Sequence, residues 1–248
     1  MKQKCCVAIP VYKEKLNPVE EGVLRDAFEK LSDFPFRFIA PGNLDLKYYQ
    51  ETFRECGSFS FNEWQSDSIS DYNRLMMQHT FYRAFEEYES ILIFQLDGLL
   101  LKGSAELHSF LDMGYDYIGA PWPGEGYRYC RRVVPGSGHI PFLRKLQGET
   151  LCRVGNGGVS LRKVSSMIRF FEAWKPETEV WGKAEDIFIS FYGQKRKCEL
   201  TIAPVEIARQ FSLETDMREE IENGNIPFAV HKWEQYYPEL PEKAGLQI

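Results

Sequence analysis

Four groups of residues along the chain are of types that could do chemistry together. Asp97 interrupts the apolar run Ile91–Leu101, which reads ILIFQLDGLLL. A carboxylate is costly in such company unless the strand end opens into a site. Ligands of open α/β sheets bind at the carboxyl ends of strands, where a metal-binding or catalytic acid belongs. Asp97-Gly98 is equally the signal of a hairpin turn. The second group, Gly155-Asn156-Gly157-Gly158, lets backbone pass close to a ligand and aim N–H groups at it, or serves only the path of the chain. Third is Glu185-Asp186, ahead of the apolar Ile187–Tyr192. Acids there favour a helix start by its dipole, so a solvated helix start is the default reading beside a catalytic one. Fourth is His231, between Val230 and Lys232, either a ligand or a satisfied core histidine.

Composition narrows the class. The chain has 248 residues, 44% of them hydrophobic and 15% aromatic, ample for a sizeable core and contrary to disorder. A net charge of −6 argues against nucleic-acid binding, which needs a basic surface. No apolar run approaches the roughly 18 residues of a membrane span, and the opening MKQKCCVAIPVY is cut off by Pro10 and Lys13-Glu14-Lys15, so it reads as a first strand and not as a signal peptide. The six cysteines form no C-x-x-C pair and have no zinc spacing. Free thiols in a reducing cytoplasm account for them.

The elements that must position the four groups follow from periodicity. Cys6–Val11 is a short strand, Val19–Leu31 a helix with Asn17-Pro18 as its start signal, and Phe36–Ala40 a second strand. This β-α-β opening predicts a parallel sheet with right-handed crossovers. Tyr48–Phe53 reads as a short helix and Ser58–Trp64 as strand or loop. Ser70–Glu89 carries a broad aromatic stripe and reads as one long helix capped by Ser70, its stripe facing the core. Gly103–Met113 is a further helix and Tyr115–Gly119 a strand. Residues 123–153, rich in glycine, proline and arginine, read as a functional loop or an exposed insertion, with Tyr127–Leu143 expected to close as a mobile lid. Arg153–Arg162 reads as strand-like residues across a glycine-rich turn, Val164–Trp174 as an amphipathic helix and Glu179–Tyr192 as a buried one. Cys198–Pro204 reads as a late strand, and Ile226–Trp233 as an apolar tail that packs back on the domain.

In this order the series resembles the GT-A glycosyltransferases. More narrowly, FQLDGLLL, YDYIGAPW, VGNGGVSLR, AEDIFIS and FAVHKW are together similar to a family of uncharacterised bacterial glycosyltransferase-like proteins of surface polysaccharide synthesis. The resemblance runs from Val7 to about Trp233, and YDYIGAPW and GNGGVSLR are its most specific parts. It implies an α/β fold: a single GT-A-like, Rossmann-like domain over residues 1–248, with a mixed, mainly parallel central sheet flanked by helices. It implies a nucleotide-sugar donor, a glycan or glycolipid acceptor, a divalent cation (Mn²⁺ or Mg²⁺), no nucleic acid, and a cytoplasmic setting that allows peripheral contact with the inner face of the membrane.

Residue by residue, the place of the D-x-D metal motif is taken by Gln95-Leu96-Asp97, which keeps only the last acid. Asp97 is then the expected metal ligand and Gln95 stands in for the first acid. Gly155, Asn156, Gly157 and Gly158 would line donor and acceptor. Glu185-Asp186 matches the x-E-D motif, with Asp186 as base and Glu185 capping the helix or holding an acceptor hydroxyl. His231 matches the late histidine that contacts metal or diphosphate, and Pro10 and Val11 lie at the nucleotide edge of the sheet. Two rivals stand beside this reading. A sugar nucleotidyltransferase would want a basic glycine-rich loop near residue 10, which VYKEKLNP is not. A catalytically degenerate relative would bind nucleotide or glycan without turnover.

Overall fold

The computed structural model describes residues 2–65, 68–129 and 149–246. In chain order its first half runs β1 (Gln3–Pro10), α1 (Pro18–Lys30), β2 (Phe36–Pro41), α2 (Lys47–Thr52), β3 (Gly57–Phe61), α3 (Ile69–Leu75), α4 (His79–Arg83), β4 (Tyr88–Phe94), β5 (Gly98–Leu100), α5 (Ser104–Asp112) and β6 (Tyr117–Pro121). Then come β7 (Tyr127–Tyr129), β8 (Thr150–Cys152), β9 (Val154–Lys163), α6 (Val164–Ala173), α7 (Lys175–Glu179) and α8 (Glu185–Tyr192). The chain ends with α9 (Val205–Phe211), β10 (Ser212–Leu213), α10 (Met217–Glu222), β11 (Ala229–His231), α11 (Trp233–Tyr236) and α12 (Leu240–Lys243).

The β-α-β opening forms as its caps dictate. Asn17 accepts from the Glu20 amide while Glu20 reaches back to the Asn17 amide, a reciprocal pair that starts α1 at Pro18. A six-stranded sheet follows, in the order β3-β2-β1-β4-β9-β6. The β1–β2, β2–β3 and β1–β4 pairs are parallel, whereas β9 runs antiparallel to both β4 and β6. Side chains alternate between two cores. Val7, Ile9, Leu92 and Phe94 enter one, Cys6, Ala8, Ile91 and Ile93 the other. Burial on both faces is why β1 and β4 read as unbroken apolar runs.

Several expected elements differ. The run 91–101 is two strands in two sheets: β4 ends at Phe94, and β5 leaves to pair antiparallel with β11 in a small sheet ordered β10-β11-β5. The turn between them is closed by Gly98 N–H to Gln95 carbonyl at 2.9 Å. Residues 70–89 hold two short helices, because the Met76 carbonyl accepts the Tyr82 hydroxyl at 2.9 Å where the ladder would continue. Ser68, not Ser70, caps the first of them by accepting from the Asp71 amide. The glycines of 155–158 lie inside the ten-residue strand β9 and not in a turn, with register shifts against β6. Cys198–Pro204 makes only an isolated bridge, Ile202 to Tyr117. Of the expected lid, Tyr127–Tyr129 pairs with Thr150–Cys152, and residues 130–143 lie outside the described residues.

Cys5, Cys6, Cys56, Cys152 and Cys198 are free thiols. Among the described residues no helix is long and apolar enough to cross a membrane.

Candidate functional site

A cleft of about 730 Å³ opens where β1 and β4 end, against β9 and the small sheet. Pro10 and Val11 line one side, at the end of β1, and Gln95 and Asp97 come from the turn after β4. Asn156, Gly157 and Gly158 of β9 form a wall. Glu185 and Asp186 of α8 enter from one direction and His231 of β11 from another. The cleft thus brings together every expected site residue except Gly155. A Cβ on Gly155 would lie 2.1 Å from the Trp122 ring, so that glycine makes room for packing outside the cleft.

The small sheet sets one end of the cleft. His231 pairs with Gly98 across the β11–β5 ladder, which places its ring beside the preceding residue, Asp97. His231 is 4% exposed. Its Nε2 lies 3.1 Å from Asp97 Oδ1 and 3.1 Å from Gln95 Oε1, and its Nδ1 lies 2.9 Å from Glu214 Oε2. Burial works against a charged ring, but hydrogen bonds to Asp97 and Glu214 outweigh it and raise the pKa to about 9. Burial would also raise the Asp97 and Glu214 carboxyls, and the bonds and charge of His231 hold both below their ordinary values. The half-exposed Asp97 is the member of this group that opens most to the cleft.

Glu214 was not among the expected site residues. Its surroundings, Phe211-Ser212-Leu213-Glu214, hold no unbroken apolar run that could have marked it. Lys232 was also missed. It lines the cleft, and it adopts a left-handed backbone (φ 56°) that glycine favours. Its amide donates to the Asp97 carbonyl at 2.8 Å.

The opposite wall is built on an arginine that sequence patterning hides. Arg162 on β9 is fully buried. Its Nη2 donates to Glu185 Oε1 at 2.8 Å, its Nη1 to the Tyr82 hydroxyl at 2.9 Å and its Nε to Ser160 Oγ at 2.9 Å. The Glu185 carboxylate is thereby held by Arg162 at the cleft wall, and Asp186, the next residue, lines the same wall without such a partner among the arginines. Adjacent helical residues point about 100° apart, so such a split is expected. Burial, and then the charge of Glu185, push the Asp186 carboxyl up to about 7. The Ile187 amide, donating to Asp186 Oδ1 at 2.6 Å, and the Arg162 charge pull the other way without prevailing. A carboxyl titrating near neutrality at a cleft wall is suited to accepting a proton.

Two glycines of β9 make these approaches feasible. A Cβ on Gly158 would lie 2.1 Å from His231 Nε2, and one on Gly157 would lie 2.6 Å from Glu185 Oε1.

Some of these side chains are of types that could take a divalent cation. No group of three or more His, Cys, Asp and Glu side chains able to hold a metal is present among the described residues. His231 Nε2 nevertheless lies within hydrogen-bond distance of both Asp97 Oδ1 and Gln95 Oε1. Mg²⁺ and Mn²⁺ sites at phosphates need only one or two protein carboxylates, with substrate and water completing the shell. The carboxylate on His231 Nδ1 is the usual outer partner of a ligating imidazole.

Solved structures share the architecture. The chain is similar to mouse xyloside xylosyltransferase 1, at 10% identity and a TM-score of 0.52, over 93% of this chain and 97% of that one. An active-site mutant of LgtC matches at 14% identity and a TM-score of 0.53, over 91% and 86% of the two chains. The bifunctional glycosyltransferase WbbM matches at 11% and 0.52, over 93% of this chain and 46% of that one. At such identities these likenesses show the fold: a mixed α/β domain of the GT-A kind. No curated protein matches the chain. One family does so over residues 57–231, and the chain belongs to it: Protein of unknown function (DUF5672).

Proposed function

We propose that the chain is a glycosyltransferase that moves a sugar from a nucleotide-sugar donor to a glycan or glycolipid acceptor. One observation carries this: a single cleft at the strand ends holds a carboxylate–histidine group on one side and a carboxyl poised near neutrality on the other. The first suits the diphosphate of a donor and the second the hydroxyl of an acceptor.

Asp97 and His231, with Gln95 beside them, would hold a divalent cation. When bound, that cation supplies neutralisation of the charge developing on the leaving diphosphate. Pro10 and Val11 border the nucleotide. Lys232, whose ammonium is held at the cleft by Glu214 at 2.9 Å, adds positive charge. Asp186 accepts the proton of the acceptor hydroxyl as its oxygen attacks the anomeric carbon and the bond to the diphosphate breaks. Glu185, committed to Arg162, keeps Asp186 at the cleft and does not itself meet the acceptor. Asn156, Gly157 and Gly158 border the space between donor and acceptor. The setting we propose, bacterial surface polysaccharide synthesis on the cytoplasmic side of the membrane, is supported by the sequence resemblance and by the free thiols.

Thermal unfolding against a panel of nucleotide sugars, with and without Mn²⁺, tests the reading. A ligand at about 100 times its Kd stabilises by roughly 2.7 kcal/mol. For a chain of this size that raises Tm by about 5–10 °C. One nucleotide class is expected to give that shift, with a part that depends on Mn²⁺ and is lost in Asp97→Asn. A panel without any shift refutes the proposal. A metal-dependent shift undiminished in Asp97→Asn refutes the metal assignment.

A further inference from the structure

We infer that Glu214 is a positioning residue that fixes the cation-binding side chains of the cleft, an inference that rests on the glycosyltransferase reading above. Glu214 is 8% exposed and lies behind the cleft wall, where it does not meet a ligand. Its position follows from sheet register. β10 runs parallel to β11 with Ser212 opposite Ala229 and Leu213 opposite Val230. One step further along both strands, Glu214 stands beside His231.

The carboxylate is shared among three residues that do line the cleft. It lies 2.9 Å from His231 Nδ1, accepts from Lys232 Nζ at 2.9 Å, and accepts from the Asn156 side-chain amide. Two of these partners follow one another at the end of β11 and the third is on β9, in the other sheet. A carboxylate needed only to join β10 to β11 would have no use for Asn156. Through Nδ1 it fixes which ring nitrogen faces Asp97 and Gln95, as an outer carboxylate does for a ligating histidine. Through Lys232 it helps to hold a residue in a left-handed conformation that costs on the order of 1 kcal/mol or more. The chemistry assigned to Glu214 is therefore indirect: it keeps the imidazole and the ammonium aimed at a metal–diphosphate group.

The test reads cation binding and not turnover. Mn²⁺ is titrated, alone and with pyrophosphate, the portion common to nucleoside diphosphate donors, and the free ion is followed by electron paramagnetic resonance. Glu214→Gln keeps the shape and is expected to weaken Mn²⁺ binding by about 10- to 100-fold, the usual effect of losing an outer-shell carboxylate. Glu214→Asp keeps the charge but shortens its reach. It is expected to fold as the parent does and to weaken Mn²⁺ about 10-fold, and it decides the matter should the glutamine variant be poorly folded. Without pyrophosphate, the double variant Glu214→Gln/His231→Ala should bind Mn²⁺ no more weakly than His231→Ala, because toward the cation alone Glu214 acts through that ring. Parental affinity in both Glu214 variants, with any loss confined to Tm, overturns the inference while leaving the reading of the cleft intact. If the parent protein itself binds no Mn²⁺ in the presence of pyrophosphate, the reading of the cleft fails and this inference with it.

Discussion

Gly158→Ala should damage the protein far more than one methyl group suggests, and the structure allows the damage to be sized. A Cβ at residue 158 would lie 2.1 Å from His231 Nε2 and 2.2 Å from Cε1. Ordinary contact begins at 3.4 Å, so the ring must retreat by roughly 1 Å or more. It has little room, being 4% exposed and bonded to Glu214 at 2.9 Å and to Asp97 at 3.1 Å. Overpacking costs about 1–3 kcal/mol, and a hydrogen bond to a charged group is worth about 1.5–3 kcal/mol. Losing one such bond brings the total to roughly 3 kcal/mol or more, a fall in Tm of about 6–12 °C. Gly182→Ala is the control: nothing lies within 4 Å of its Cβ, and stability should stay within about 0.5 kcal/mol. Urea unfolding of Gly158→Ala, His231→Ala and the double variant closes a cycle. Removing the ring removes the clash, so the double variant should be less destabilised than the sum of the singles by about 1–2 kcal/mol. Additivity within about 0.5 kcal/mol would refute the claim that Gly158 exists to admit the His231 ring.

The acid wall makes three more predictions. Asp186 titrates near 7 in the folded chain, above its ordinary carboxyl value, so the folded state binds the proton more tightly than the unfolded one. Its contribution to stability is therefore full below about pH 4 and lost as pH rises toward 7; each pH unit between the folded and unfolded pKa values corresponds to about 1.4 kcal/mol. Tm measured across that range should fall less steeply in Asp186→Asn than in the parent; equal slopes would show that another group titrates. Transfer by the parent should rise as pH climbs through about 7, and in Asp186→Asn it should drop by roughly 10²-fold with donor binding kept. Arg162→Met strands the buried Glu185 carboxylate and should cost about 3–5 kcal/mol in urea unfolding. Adding Glu185→Gln should recover part of that loss, and no recovery would mean that the ion pair is not what Arg162 supplies.

Much of the fold was legible because its signals are local. The α1 start is written in Asn17, Pro18 and Glu20: Asn17 and Glu20 satisfy one another, and Pro18 at the first position has no N–H to satisfy. β1 and β4 declare themselves by apolar runs that only two-sided burial explains. Segment 70–89 misled for the opposite reason. Its aromatic stripe does face the core, with Tyr82 stacked on Phe171 at 5.4 Å, but the interruption depends on a hydroxyl arriving at the Met76 carbonyl from six residues on. No periodicity records such a bond. The run 91–101 hid its division because both of its halves are buried, each in a different sheet.

The site divides along the same line. Asp97, Asp186 and His231, which the fold brings to one cleft, stood out as candidates because each is polar at the end of an apolar stretch, a placement that desolvation makes expensive. Arg162 and Glu214 were not, since what gives them meaning is register: Arg162 alternates with Val159 and Leu161 like any outward-facing residue, yet the face it occupies is covered by α4 and α6. The glycines carry a packing role beside the one that composition suggested. Three in four positions suggested a backbone laid bare for a ligand. Gly157 and Gly158 do border the cleft, but the atoms that crowd their missing Cβ positions are Glu185 Oε1, Arg162 Nη2 and the His231 ring. They thin β9 where side chains from α8 and the small sheet must press against it. The missing Cβ atoms thus set the positions of the side chains around the cleft, while the backbone of both glycines still borders it.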